Sequence, residues 1–173
     1  MRKTPAQLPE KASPLRLTQE IAIVFDKATG RKAPAALQQL WFATLRSPWS
    51  SLAIVPAHPG CRAREIAQAL TEVGTAHTGK PVRLVGAEQI ELKQSADLIH
   101  EIESQVLAGT RVIVALDPVV QNSAGIAIAL AADAVLLAVV LERGDLASAR
   151  RTVDLIGSQR IIGSVVLHPD WAP

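Results

Sequence analysis

The stretch IVPAHPGCRARE, Ile54–Glu65, carries residue types that could bind phosphate. It begins with apolar residues typical of a strand, turns at Pro59 and Gly60, and continues in a pattern typical of a helix. Such a turn can bind phosphate because free backbone N–H groups and the helix dipole face the anion. Arg62 and Arg64 add positive charge, but no lysine and no Ser or Thr follows the glycine. The stretch therefore predicts either a remodelled nucleotide site or a loop that has kept only its shape.

Two residues in this stretch could also support other chemistry. His58 and Cys61 have an H-x-x-C spacing, but zinc would need two further ligands, of which His168 is one candidate. A thiol beside arginines at a helix start has a lowered pKa, which would make Cys61 reactive. No general base is evident, so we favour a small structural residue at this position. No G-x-S-x-G elbow predicts a serine hydrolase, and no G-x-G-x-x-G predicts a dinucleotide site.

The composition limits the class of protein. The chain has 173 residues, of which 49% are hydrophobic, enough for one globular domain with a substantial core. The formal net charge of +2 gives no reason to expect a nucleic-acid partner. No secretory signal is visible, and Asp133 interrupts the longest apolar stretch, so we expect a soluble cytoplasmic protein. Residues 1–17, rich in Pro, Lys and Arg, predict a flexible lead, and residues 18–173 a single domain.

Five continuous apolar runs predict the strands that must position these residues. Continuous runs, rather than alternating ones, are typical of strands buried on both faces, and helical patterns lie between them. The alternation predicts a three-layer α/β fold with a mainly parallel central sheet and helices on both faces. Ligands of such a sheet bind beyond the carboxyl ends of its strands. The predicted strands are Leu52–Val55, Val82–Val85, Val112–Leu116, Ala134–Leu141 and Ile161–Leu167.

The helices predicted between these strands have recognisable ends. Asp145 and Ser123 could cap two of them at the amino end, and Gly157 could follow the last residue of another. Ile21–Phe25 could form a short strand or part of a docking segment. The predicted helices are Ala35–Arg46, Arg62–Val73, Ser95–Leu107, Ser123–Ala131 and Asp145–Ile156.

Three segments follow one another in an order found in a known family. They read LAIVPAHPGCRAREIAQAL, TGKPVRLVGAEQ and RVIVALDPVVQNSAGIAIALAADAVLLAVV. They resemble the cytoplasmic P-loop domain of bacterial polysaccharide co-polymerase tyrosine autokinases, and more widely the deviant-Walker ATPases of cell division and chromosome partitioning. The likeness covers roughly Leu37–His168. The resemblance implies that the predicted sheet has the P-loop NTPase-like, Rossmann-like arrangement.

The first segment departs from the family's Pro-Gly-x-Gly-Lys-Ser/Thr loop at each position that binds phosphate or metal. Pro59 and Gly60 match the first two positions. Arg62 replaces the second glycine, Ala63 the lysine, and Arg64 the Ser or Thr. The resemblance therefore implies that the phosphate cation and the hydroxyl ligand of Mg²⁺ are both missing.

The other strand-end motifs depart as well. Gly86 and Glu88 stand where the family has two aspartates, and Ala115 stands at the Walker B aspartate. Asp117 takes the place of a proline and could bind metal in a shifted register, although we favour an Asp-Pro turn. His168 stands where the fold class often has the Asn that contacts the base.

The resemblance and its departures together predict a protein without catalytic activity. Loss of the phosphate cation and metal ligands would remove most of the charge stabilisation that phosphoryl transfer needs. The sequence has no tyrosine, so tyrosine autophosphorylation is not expected. We expect a pseudo-ATPase or pseudo-kinase with no cofactor. One alternative is an active or nucleotide-sensing ATPase that binds ATP and Mg²⁺ through Arg62 or Arg64 and Asp117, and another is a cell-division or partitioning accessory.

The resemblance also implies a partner. In the family, the P-loop domain contacts the cytoplasmic end of a membrane polysaccharide co-polymerase, and the domains also self-associate. This implies an interaction or regulatory subunit of exopolysaccharide or capsule synthesis or export, cytoplasmic or peripheral at the inner membrane through its partner. The helix that contains Trp41 and the N-terminal lead are candidate contacts. Trp49 and Trp171 suit either an interface or the core.

Overall fold

A computed structural model of the chain describes the backbone of residues 20–22 and all of residues 35–141 and 145–167. Its strands pair in one parallel sheet in the order β1-β6-β5-β2-β4-β3. Residues 1–17, His168 and Trp171 lie outside the described residues, so the predictions made for them stay predictions. The strands are β1 (Glu20–Ala22), β2 (Ser51–Pro56), β3 (Val82–Ala87), β4 (Arg111–Leu116), β5 (Ala134–Val140) and β6 (Ile161–Leu167).

Helices cover the sheet on both faces, which confirms the predicted α/β fold class. One apolar cluster joins alternate residues of β2, such as Leu52 and Ile54, to α1 and α2, and the other joins Ala53 and Val55 to α3, α4 and α5. The central strand β2 is buried along its whole length, as its continuous apolar run predicted. The helices are α1 (Ala35–Thr44), α2 (Ala63–Thr78), α3 (Leu92–Leu107), α4 (Ala124–Ala131) and α5 (Leu146–Ile156), with a 3₁₀ turn at Ser158–Arg160.

Helix α2 runs five residues beyond its predicted end at Val73. Gly74 lies inside the helix because α1 crosses it there, and a Cβ at this position would come within 2.6 Å of the Trp41 ring. The Trp41 indole is fully buried and donates a hydrogen bond from Nε1 to His77 Nδ1 at 3.1 Å. Trp49 is also buried. Both tryptophans therefore belong to the core, and the interface alternative for Trp49 is wrong.

The helix ends confirm part of what the sequence predicted. The carboxylate of Asp145 caps α5 by accepting from the Ala147 N–H at 2.9 Å, and Gly157 follows α5 with a φ of 87°. Ser123 takes the predicted N-cap position of α4, but its side chain makes no capping hydrogen bond, and Asn122 Oδ1 accepts from the N–H of Ala124. Helix α3 begins at Leu92 rather than Ser95, since Glu91 and Gln94 form a capping box ahead of it. Strand β1 overlaps the short strand predicted at Ile21–Phe25, of which residues 23–25 are not described.

No helix in the described ranges is long and apolar enough to cross a membrane. This agrees with the interruption of the longest apolar stretch by Asp133, which the structure places in the bend between α4 and β5.

Candidate functional site

The candidate site lies where β2, β4 and β3 end. These three strands are neighbours in the sheet and run parallel, so their carboxyl ends share one edge. Gly86 of β3 pairs with Ala115 of β4, and Ala115 also pairs with Ile54 of β2. The positions matching the second motif and the Walker B aspartate are therefore adjacent, as in a nucleotide site built at the carboxyl edge.

The loop after β2 is anchored to the body of the protein by a buried histidine. His58 Nε2 accepts the Val140 N–H at 3.1 Å, and its Nδ1 lies 2.9 Å from the carbonyl oxygen of Pro59. Since Nε2 accepts, the proton must be on Nδ1, which donates to that carbonyl. Thr152 also anchors the loop, by donating its hydroxyl to the carbonyl oxygen of Ala57 at 3.1 Å. These contacts fix the shape of the loop.

The start of α2 offers little positive charge to a ligand. Arg62 is the N-cap residue, and its side chain is 78% exposed and lies 3.6 Å from Glu65. Ala63, at the family's lysine position, is buried and brings no cation. Gly60 has a φ of 87°, a left-handed conformation that favours glycine. No heavy atom of the described residues outside its chain neighbours lies within 4 Å of the position that a Cβ would take there.

Arg64 and Glu88 form a two-pronged ion pair across the site. Arg64 Nε donates to Glu88 Oε1 and Arg64 Nη2 donates to Glu88 Oε2, both at 2.9 Å. The hydrogen bond and the charge of Glu88 raise the pKa of Arg64. The guanidinium lies over Gly86, where a Cβ would collide with it. Arg64, Gly86 and Glu88 therefore fit one another. The arginine pairs with the carboxylate of Glu88 and occupies space that only a glycine at position 86 leaves open.

Asp117 holds the loop after β3 in place. Its Oδ2 accepts the N–H of Gln89 at 2.6 Å, and Gln89 has a φ of 60°, which non-glycine residues seldom adopt. Asn122 holds the same loop by donating its side-chain amide to the carbonyl oxygen of Ile90 at 3.1 Å. These contacts favour the structural interpretation of Asp117 over metal binding in a shifted register.

The remaining sequence candidates take no visible part in a metal or thiol site. Within the described ranges, no three His, Cys, Asp or Glu side chains gather where they could hold a metal ion. Both ring nitrogens of His58 are already engaged, which disfavours the zinc alternative. Burial, followed by the charge of Glu65, raises the pKa of the Cys61 thiol to about 12. This disfavours the reactive-thiol alternative, because burial moves the pKa of the thiol in the opposite direction.

The comparisons with known proteins support the fold. The sequence matches no protein-family model and no curated protein sequence. Among solved structures, the chain is similar to the chimerical protein CapA2B2, with a TM-score of 0.69 at 13% sequence identity. The match covers 84% of this chain and 92% of that chain. At this identity the likeness shows a shared Rossmann-like, P-loop-like fold and nothing finer.

The pairing of Arg64 with Glu88 is the feature that sequence reasoning missed. The sequence interpretation treated Arg64 only as a replacement phosphate cation and Glu88 only as a surviving carboxylate. A signal was present, since an arginine had entered one strand-end motif and a carboxylate remained in a motif expected at the same edge. Residues 24 apart in sequence meet here because parallel strands bring their ends together.

Proposed function

We propose that this chain is a non-catalytic, pseudo-ATPase-like subunit that acts by protein interaction in exopolysaccharide or capsule synthesis or export. The ion pair between Arg64 and Glu88 carries the proposal, because it lies at the positions that match metal-binding groups in the family that the sequence resembles. The fold likeness to CapA2B2 is compatible with that resemblance.

The charge balance of the site supports this proposal. ATP brings several negative charges, which a nucleotide site offsets with a lysine and Mg²⁺. Here the charge of Arg64 is largely offset by Glu88, and Ala63 supplies none. Arg62 is the remaining cation of the loop, and Glu65 lies 3.6 Å from it. Phosphoryl transfer in such a site would lose orders of magnitude in rate, because stabilisation of transition-state charge supplies most of its catalysis.

The same edge of the sheet has apolar residues suited to a partner. Leu92 begins α3, Leu141 follows β5 and Leu146 begins α5, so all three lie at the carboxyl edge. They are 68%, 47% and 84% exposed, respectively. Exposed apolar groups around a polar centre are typical of interaction surfaces. We propose that this edge contacts the cytoplasmic end of a membrane polysaccharide co-polymerase, which would place the chain in the cytoplasm, peripheral to the inner membrane.

Calorimetric titration of the full chain with ATP and with ADP, each with Mg²⁺, tests the non-catalytic part. We expect no saturable heat up to about 1 mM nucleotide. A dissociation constant of about 1 mM corresponds to a binding free energy of about −4 kcal/mol. Micromolar binding with ATP turnover that Asp117→Ala abolishes would contradict the proposal and favour the remodelled ATPase. Micromolar binding without turnover would favour the nucleotide-sensing alternative.

The interaction part needs a separate measurement. The probe is the cytoplasmic segment of a membrane polysaccharide co-polymerase from the same organism, and binding is measured by biolayer interferometry. We expect Leu92→Glu and Leu146→Glu to weaken binding by about 10-fold or more, because each places a charge in an apolar contact. Leu107→Glu is the matched control, since Leu107 is 87% exposed at the opposite end of α3. Equal binding by all three variants would contradict the proposed surface.

A further inference from the structure

The opposite edge of the sheet carries a second polar depression. Its lining residues come from the starts of four neighbouring strands, in the sheet order β4, β2, β5 and β6. Arg111 begins β4, Ser50 precedes β2, Asp133 precedes β5 and Arg160 precedes β6. The depression has a volume of about 700 Å³. We call it the amino-edge pocket, and the sequence interpretation gave it no role.

Arg111 is held in the amino-edge pocket by aromatic rings rather than by a carboxylate. Its guanidinium carbon lies 5.1 Å from the ring centroid of Trp49 and 6.0 Å from that of Trp41. The two indoles meet edge to face, and Trp49 Nε1 donates to the carbonyl oxygen of Thr44, so the rings are fixed. Within the part of the chain that the structure describes, the Arg111 guanidinium has no hydrogen bond and no ion pair. Ring contacts leave its in-plane N–H donors available for a ligand.

Arg160 brings a second guanidinium with spare donors. One nitrogen, Nη1, donates to the carbonyl oxygen of Ala132 at 3.1 Å, which fixes the direction of the side chain. Neighbouring strands are roughly 4.8 Å apart, so the starts of β4 and β6 are separated by about 14 Å. Both arginines line the same depression, so a ligand bound there can contact both.

The acidic residue of the pocket is already engaged. Asp133 Oδ2 accepts the backbone N–H groups of Ser50 and Ser51 at 2.8 and 2.9 Å. No ion pair joins Asp133 to Arg111 or to Arg160 in the described structure. Two half-buried arginines and one carboxylate thus line the pocket, and the carboxylate holds the start of β2. This leaves an excess of positive charge and of hydrogen-bond donors.

We propose that the amino-edge pocket binds an oxyanion, a phosphate or carboxylate group, between Arg111 and Arg160. Planar guanidinium groups bind both kinds of oxyanion through paired N–H donors, and a stacked arginine loses little freedom on binding. The site is distinct from the carboxyl edge, so it is independent of whether nucleotide binds there.

The test uses the full chain with Trp171→Phe, so that Trp41 and Trp49 are the remaining fluorophores. Inorganic phosphate and succinate are titrated separately at ionic strength matched with sodium chloride, and indole emission is recorded. We expect a saturable change with at least one probe, and the stronger of the two identifies the preferred oxyanion. Arg111→Gln and Arg160→Gln should each weaken binding about 10-fold or more.

Two controls keep the outcome interpretable. Arg150→Gln, on the exposed face of α5, and Arg62→Gln, at the carboxyl edge, should bind as the parent does. If Arg111→Gln fails to fold, Arg111→Lys keeps the charge without the planar fork and should bind more weakly. No saturable change with either probe, or binding that the Arg111 and Arg160 variants leave unaltered, would overturn the proposal.

Discussion

Substituting Gly86 by alanine should have opposite effects with and without Arg64. In the native protein a Cβ at this position would collide with the Arg64 guanidinium and approach Glu88 Oε2 within 2.9 Å. The alanine must therefore push the arginine away from its carboxylate. In an Arg64→Ala background the guanidinium is gone and the flexible Glu88 side chain, no longer paired, can turn away from the new Cβ. Gly86 has no positive φ that an alanine would strain.

The magnitude follows from the exposure of the pair. The Arg64 side chain is 55% exposed and that of Glu88 23%, so solvent screens the pair, while its two-pronged geometry is favourable. Such a pair contributes about 1 kcal/mol. Alanine in a strand gains about 0.5 kcal/mol over glycine because the unfolded chain loses less entropy. Gly86→Ala should thus destabilise the native protein by about 0.5 kcal/mol and stabilise the Arg64→Ala protein by about 0.5 kcal/mol.

The assay is urea unfolding of the four proteins of this cycle, at low salt and at 1 M sodium chloride. We expect a coupling free energy of about 1 kcal/mol that falls at high salt, where surface charges are screened. Arg83→Ala is the matched control. Arg83 lies on the same strand as Gly86, its side chain is as exposed as that of Arg64, and it pairs with Glu101 at 3.6 Å. If Gly86→Ala has the same effect in the native and Arg64→Ala backgrounds, the guanidinium does not lie above Gly86 and the reasoning fails.

Three further predictions concern stability and reactivity. Gly74→Ala should destabilise the protein by about 2 kcal/mol or more in urea unfolding, because the buried Trp41 ring cannot move away; a loss below about 0.5 kcal/mol would contradict the contact between α1 and α2. The Cys61 thiol should react slowly with a disulfide reagent at pH 8 until the protein is unfolded. The pKa of this thiol in the folded protein, about 12, exceeds the reference value of 9.0. The contribution of the buried thiol to stability is therefore complete below pH 9 and is lost as pH rises towards 12. Cys61→Ala should remove this pH dependence of the unfolding free energy. Burial opposes the charge of Asp133, but hydrogen bonds from two backbone N–H groups and a serine lower its pKa below 3.8. The contribution of the Asp133 carboxylate to stability is therefore present above that value and lost as pH falls below it. Asp133→Ala should lower the free energy of unfolding by about 1–3 kcal/mol in urea at pH 7. An unchanged midpoint would contradict the role of these hydrogen bonds.

The sequence predicted the fold class because burial leaves a strong pattern. Strands such as β2 are covered on both faces and read as continuous apolar runs, so five of the six described strands and their parallel direction followed from the alternation with helices. The order in which the strands pair did not follow from it. The ends of α2 and α3 were less well predicted. Gly74 resembles a helix end in sequence, and only its contact with Trp41 explains why a glycine lies inside the helix.

The sequence by itself determined which residues lie at the carboxyl edge, because all strands of a parallel sheet end at the same edge. Tertiary structure decided what those residues do. Side-chain direction joined Arg64 to Glu88 over Gly86, and Asp117 to the backbone of Gln89. Burial raises the pKa of the Cys61 thiol despite its arginine neighbours, and the packing of α1 and the start of β2 beside β4 brings the rings of Trp41 and Trp49 to Arg111. Partners at hydrogen-bond or stacking distance depend on packing across the whole sheet, and local residue order does not encode that distance.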